Sequence, residues 1–149
     1  GLFALRYMMD KGQLNDTLGQ GDVAERKLYN TFLASGFRTL HFGLTDSHAR
    51  GMAIQMNYIL DKGGFVSLGD GRFGVDFSKI KQAVIDLDRE FLTIEATGDY
   101  ARAKALMTKY VVIRPEVQVA LDKMKAVPND IRPDFVTARA LDQAATVKQ

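Results

Sequence analysis

The stretch FVSLGDGRFGVDF, residues 65–77, changes the period of the chain. Val66 and Leu68 alternate with smaller or polar residues, and Phe73, Val75 and Phe77 do the same, the two-residue repeat of a strand with one face turned to a core. Between the two runs stands Gly69-Asp70-Gly71, residues suited to a tight turn whose central positions take positive φ. The stretch predicts a β-hairpin, and most of its neighbours repeat at helical spacing. The expected fold class is therefore mainly α: a single domain over residues 1–149, a helical lobe of about six helices with one β-hairpin near residues 65–77.

The helical repeats lie on both sides of the hairpin. Leu2, Leu5 and Met9 open the chain at i, i+3 and i+7. In GDVAERKLYNTFLASG, Asp22 and Glu25 have capping-box spacing and Gly36 is a natural stop. A short apolar stretch, FRTLHFGL, leads to Thr45 or Asp46 as the N-cap of TDSHARGMAIQMNYILDKGG, residues 45–64. There Met52, Met56, Ile59 and Leu60 form one stripe. Past the hairpin, Ile80, Val84, Leu87, Phe91 and Ile94 make a seam that ends at Gly98. Asp99 is placed to cap the next helix, with Ala103, Leu106, Met107 and Tyr110 inward. Pro115 suits a first helical turn before Val117, Leu121 and Met124, and the rest begins extended at Pro128 and Pro133.

Composition excludes several function classes. The chain of 149 residues is 46% hydrophobic, enough for one sizeable core, and its 20 basic and 18 acidic residues are interspersed. No charged block exists to act as a nucleic-acid arm or membrane patch, so neither partner is expected. No apolar run approaches the roughly 20 residues that span a bilayer. With no cysteine, disulfides and thiolate metal sites are excluded, which suits a reducing compartment, and a cytoplasmic location is expected.

Apparent motifs fail their structural tests. Gly69, Gly71 and Gly74 match G-x-G-x-x-G, but a dinucleotide fingerprint must open a helix, and here a second strand follows. REFLTIEATG, residues 89–98, faintly resembles a Nudix box, yet its Arg-Glu pair is not followed by paired glutamates at the required spacing. His41 and His48 are the only histidines, and Gly43 with the cap at residues 45–46 separates them. No glutamate joins them in the i, i+4 arrangement of a zinc helix. No metal site and no cofactor are expected within these residues.

Resemblance adds what spacing does not. Taken in order, FALRYMMDKGQL, NTFLASGFRTLHFG, DSHARGMAIQMNYILDKGG, the hairpin, FSKIKQAVIDLDREFLTIEATGDYARAKALMTKY and MKAVPNDIRPDF resemble the C-terminal part of the dipeptidyl peptidase III family of zinc metallopeptidases, over roughly residues 2–135. The most specific portion is Thr97-Gly98-Asp99 followed by Ala103-Lys104-Ala105-Leu106 and Tyr110, together with His48 fifteen residues before Gly63.

The resemblance implies a segment of a longer chain. In that family a His-Glu-x-x-Gly-His helix and a helix containing Glu-Glu-x-Arg-Ala-Glu hold the zinc, and both would precede residue 1. The absence of an initiator Met, with a helical repeat from the start, agrees with that expectation. Zinc would then belong to the parent enzyme, which would release dipeptides from peptide N-termini. Some relatives are fused to a Nudix domain, so the longer chain could carry that name as well. The resemblance also implies that His48, in the first turn of its helix, contacts the peptide substrate and supports the transition state, and Arg50 is the second candidate substrate-binding residue. Family members tend to have an arginine four residues after this histidine, where Met52 stands here. An arginine moved by two positions points about 200° around the helix. A relative that has lost the chemistry and serves as a peptide-binding module, or an unrelated helical interaction domain, are the alternative readings.

Overall fold

The computed structural model describes residues 1–127 and residue 136. In chain order it contains α1 (Leu2–Asp10), α2 (Asn15–Leu18), α3 (Gly21–Leu40), α4 (Ser47–Asp61), β1 (Phe65–Gly69), β2 (Arg72–Val75), α5 (Ile80–Thr97), α6 (Tyr100–Tyr110) and α7 (Pro115–Lys123). The fold is mainly α with one antiparallel hairpin, as the change of period predicts. The helix beyond the expected six is α2, a single turn without a buried side chain and hence without an apolar stripe to read. The extended stretch expected at Pro128 and Pro133 lies outside the described residues. Among the described residues no helix is long and apolar enough to cross a membrane.

The hairpin closes through Asp70 and Gly71, which have φ of 53° and 68° between the paired Gly69 and Arg72. Its inward parity differs from the expected one. Phe65 pairs with Val75 and Ser67 with Phe73, so these four share a face, and Phe65 is 1% exposed. Val66 and Leu68 lie on the other face, where Leu68 is 57% exposed. Burying Phe65 fully contributes about 1.5–3 kcal/mol, more than the half-covered aliphatics opposite can return. The tip is strapped to α7: Lys123 Nζ donates to the Asp70 carbonyl at 2.9 Å and to its carboxylate. A Cβ on Gly71 would meet the Ala120 backbone at 3.0 Å, so the close approach itself requires glycine.

Helix α4 is the centre of the molecule and packs on α3, α5, α6 and β1. Met56 and Ile59 join Tyr29, Phe65, Ile80 and Val117 in the fully buried core. Two expectations for α3 are corrected here. The helix does not stop at Gly36 but runs on to Leu40, burying Phe37 and Leu40. Gly36 faces α4, where an added Cβ would stand 3.4 Å from Met56 Sδ and 3.5 Å from Met52 Sδ. The glycine allows a close helix approach where it was expected to end the helix. The Asp22–Glu25 capping box is also not formed, since Gln20 occupies the N-cap and no side chain caps. Glu25 instead pairs with Arg6 of α1 at 3.3 Å.

The α5 seam is present, with Ile80, Val84 and Leu87 buried. Gly98 adopts the left-handed conformation after it, and the Asp99 side chain accepts from the Arg102 N–H at 2.9 Å to cap α6. Met107, expected inward, is 45% exposed, because the α6 stripe is covered only at its Leu106 and Tyr110 edge. Arg102 reaches back to α5 and donates to both Glu90 carboxylate oxygens at 2.6 Å.

These carboxylates give the fold an acid limit. Hydrogen bonds from Arg102 hold Glu90 below the usual carboxylate range against a smaller burial penalty. Burial pushes Asp61 up, but hydrogen bonds from Arg114 and Lys109 outweigh it and leave Asp61 low as well. A carboxyl depressed in the folded state contributes stability above its unfolded value, near 3.9 for Asp and 4.3 for Glu, and loses it as pH falls through the folded value. The urea midpoint is therefore expected to hold from pH 7 down to about 5 and to drop steeply below about 4, with Arg102→Gln shallowing the drop. A midpoint flat through the acid range would contradict these pairings.

Candidate functional site

The two residues singled out by sequence both stand in the first turn of α4. The α3 helix ends at Leu40, Gly43 takes φ of 83°, and the chain re-enters helix after Asp46. His41 and His48 are thus on separate elements, and His41 is engaged edge-on with the Phe42 ring at 5.5 Å between centroids. Among the described residues no three His, Asp or Glu side chains gather where they could hold a metal ion.

Asp46 occupies the N-cap position without closing a well-formed cap hydrogen bond. Its carboxyl is held below the usual range first by the His48 backbone N–H and then by the His48 ring. Oδ1 lies 3.4 Å from His48 Nδ1 and accepts from Ser47 Oγ at 3.4 Å. The His48 side chain is 90% exposed, so nothing in the core depends on it. With Asp46 on Nδ1, Nε2 is the nitrogen left for a ligand.

Arg50 is exposed as well, and its Nε donates to the Leu44 carbonyl at 3.0 Å, which ties the 41–46 connection to the helix. His48 and Arg50 share a helix turn but sit about 200° apart around it, so they project to different sides. Met52, one turn beyond His48, packs against the core and faces Gly36. The side chain at that position therefore serves the α3–α4 contact.

Two polar groups that sequence reasoning did not single out are buried. Asn57 is 2% exposed and its Nδ2 donates to the carbonyls of Tyr110 and Val112 at 2.8 and 2.9 Å. Beside it Arg114 donates to the Asn57 carbonyl at 3.3 Å and to Asp61 at 2.7 Å. The available signal was a polar residue inside the Met56–Leu60 apolar stripe. Arg6, 3% exposed, is held by Asp10 and Glu25, and the Arg6–Asp10 spacing of four was its signal. Next to it Tyr29 is fully buried, which pushes its hydroxyl up to about 12.

The REFLTIEATG segment is structural. Glu90 is bound by Arg102, Arg89 pairs with Asp86 at 3.2 Å, and Phe91 packs with Leu87. Its charged pair is engaged in joining α5 to α6 and in an intrahelical contact.

No family model matches the chain. The protein named Nudix hydrolase 3 from Arabidopsis thaliana is 41% identical over 143 residues, which are 95% of this chain and 18% of that protein. The solved structure of dipeptidyl-peptidase III from Corallococcus sp. strain EGB superposes with a TM-score of 0.80 at 40% identity, covering 95% of this chain and 25% of that one. DPP III from Caldithrix abyssi superposes with a TM-score of 0.80 at 35% identity, covering 94% and 26%. The chain spans about a quarter of each of these two structures and less of the plant protein. Its fold is that of a segment of dipeptidyl-peptidase III.

Proposed function

We propose that residues 1–149 are a segment of a longer dipeptidyl peptidase III-type zinc hydrolase and supply part of its peptide-contact surface through His48 and Arg50. The observation that carries this reading is the TM-score of 0.80 with two dipeptidyl-peptidases III at 40% and 35% identity. In this reading His48 Nε2 meets a carbonyl of the bound peptide while Asp46 steadies the opposite edge of the ring. Arg50, anchored by Nε to the Leu44 carbonyl, offers its guanidinium to a peptide carbonyl or carboxylate. The zinc ligands would lie in the remainder of the longer protein.

A second reading is a relative that keeps the fold and binds peptides without cleaving them. It is favoured by Met52, whose place in the α3–α4 contact leaves no arginine one turn after His48. The plant relative's name offers a Nudix hydrolase instead, but in the segment of this chain that resembles a Nudix box Glu90 is committed to Arg102.

Zinc retention separates the segment from its parent. After dialysis against a weak chelator, the 149-residue chain is expected to retain no stoichiometric zinc, while the longer protein retains about one ion, because tight zinc sites need three or more convergent ligands. Stoichiometric zinc on the short chain would overturn the placement of the ligands. A longer protein that binds no zinc would overturn the hydrolase reading.

A further inference from the structure

Helix α1 is built inside out. Arg6 is buried, paired with Asp10 and reaching Glu25 of α3, whereas Leu5, Tyr7 and Met8 are 43%, 54% and 37% exposed. With Leu2 buried and Phe3 and Met9 packed against the core, apolar side chains occupy most of the helix circumference outside the Arg6–Asp10 stripe. A soluble helix normally turns only one apolar stripe to its core and leaves the opposite face polar, so the additional exposed apolar side chains point to a second packing surface. The exposed edge opens into a groove of about 350 Å³ between α1, α2 and α3, lined by Leu5, Leu14, Leu18, Leu28 and Phe32 with Lys27 among them. Leu14 and Leu18 are half-buried beside it, on or next to the one-turn α2, which buries no residue of its own.

The superposed segment takes up 25% and 26% of the two dipeptidyl-peptidase III chains, so most of each lies outside it. We propose that the Leu5–Tyr7–Met8 face and the adjoining groove form an interior surface of the parent polypeptide, covered by an apolar segment of that same polypeptide from outside residues 1–149. This rests on the reading of the chain as part of a longer peptidase-like protein, though not on that protein's chemistry. The buried Arg6 cluster supports α1 from behind. Burial opposes the Arg6 charge, but the hydrogen bond to Asp10 and the charges of Asp10 and Glu25 outweigh it and raise its pKa above the usual value. The apolar edge is thus held outward by an ionic anchor on the opposite side.

The chain has no cysteine, so a single introduced thiol reports on one position. Met8→Cys and, as a control, Tyr100→Cys at a residue 77% exposed are made in the 149-residue chain and in the longer protein. Maleimide labelling is followed by mass spectrometry of the peptide carrying each thiol, with circular dichroism to verify folding and Leu5→Cys as the substitute if Met8→Cys does not fold. The expected result is labelling at residue 8 slower by about tenfold or more in the longer protein, because an enclosed side chain reacts only through local opening, with equal labelling at residue 100. Equal labelling at residue 8 in both proteins overturns the inference. So does slow labelling in the short chain: if it depends on concentration the cover is a second copy, and if it does not the cover lies within residues 1–149. Dipeptide release is assayed on the same preparations of the longer protein. Protection without release overturns the functional reading alone, and release without protection overturns this inference alone.

Discussion

In the longer protein, His48→Ala is expected to lower kcat/KM for dipeptide release by about 10²-fold or more while leaving the fold intact. The His48 side chain is 90% exposed and its recorded polar contact is Asp46 Oδ1 at 3.4 Å, so truncation removes little that stabilises the helix. An exposed, solvent-screened pair of this kind contributes little to stability. A hydrogen bond made to charge that develops in the transition state is worth more, about 2.7–4 kcal/mol when one such donor is deleted. A fall confined to kcat would place the contact in the transition state, and a rise confined to KM would place it in ground-state binding. Unchanged turnover in a folded, zinc-loaded variant would return His48 to the role of an ordinary first-turn residue beside its N-cap.

The largest loss of stability is expected at Asn57. Its amide is the donor to two carbonyls from the far side of the chain, those of Tyr110 and Val112, just where α6 ends and the connection to α7 begins. Asn57→Ala leaves both acceptors unmet at about 1–3 kcal/mol each, partly relieved if water enters, so a loss of about 2–4 kcal/mol is expected. The same change loosens the Arg114–Asp61 pair beside it, which seats α7 against α4. Urea unfolding of the 149-residue chain measures the effect. A loss within about 0.5 kcal/mol would mean that the α4–α6 junction does not depend on this amide.

What was legible in the sequence is what neighbouring residues decide among themselves. The hairpin turn at Asp70-Gly71, the α5 seam, the Asp99 cap and Pro115 at the start of α7 are all local, and each stands where its residues predict. Features set by distant partners were not legible. Glycine at position 36 looks like a stop until the Met52 and Met56 sulfurs of α4 are placed against it. The inward face of β1 is chosen by Phe65, which lies at 6.4 Å from the Phe32 ring of α3. Asn57 and Arg6 are polar residues in apolar surroundings, and their burial depends on partners far away in sequence, the Tyr110 and Val112 carbonyls for Asn57 and Glu25, beside the nearby Asp10, for Arg6. His48 and Arg50 were placed correctly in the first turn of a helix. They stand exposed on either side of Ala49, the core residue of that turn, so nothing within the chain marked them as more than surface residues.

The central claim is that this segment belongs to an enzyme that removes dipeptides from peptide N-termini. Its most direct measurement is mass spectrometry of the products when the purified longer protein is incubated with an octapeptide and with its N-acetylated form. The account predicts successive loss of dipeptides from the free peptide and little from the acetylated one, both abolished by a chelator and restored by zinc. Single-residue release, internal cleavage insensitive to acetylation, or peptide left intact while a nucleoside diphosphate derivative is hydrolysed would contradict it.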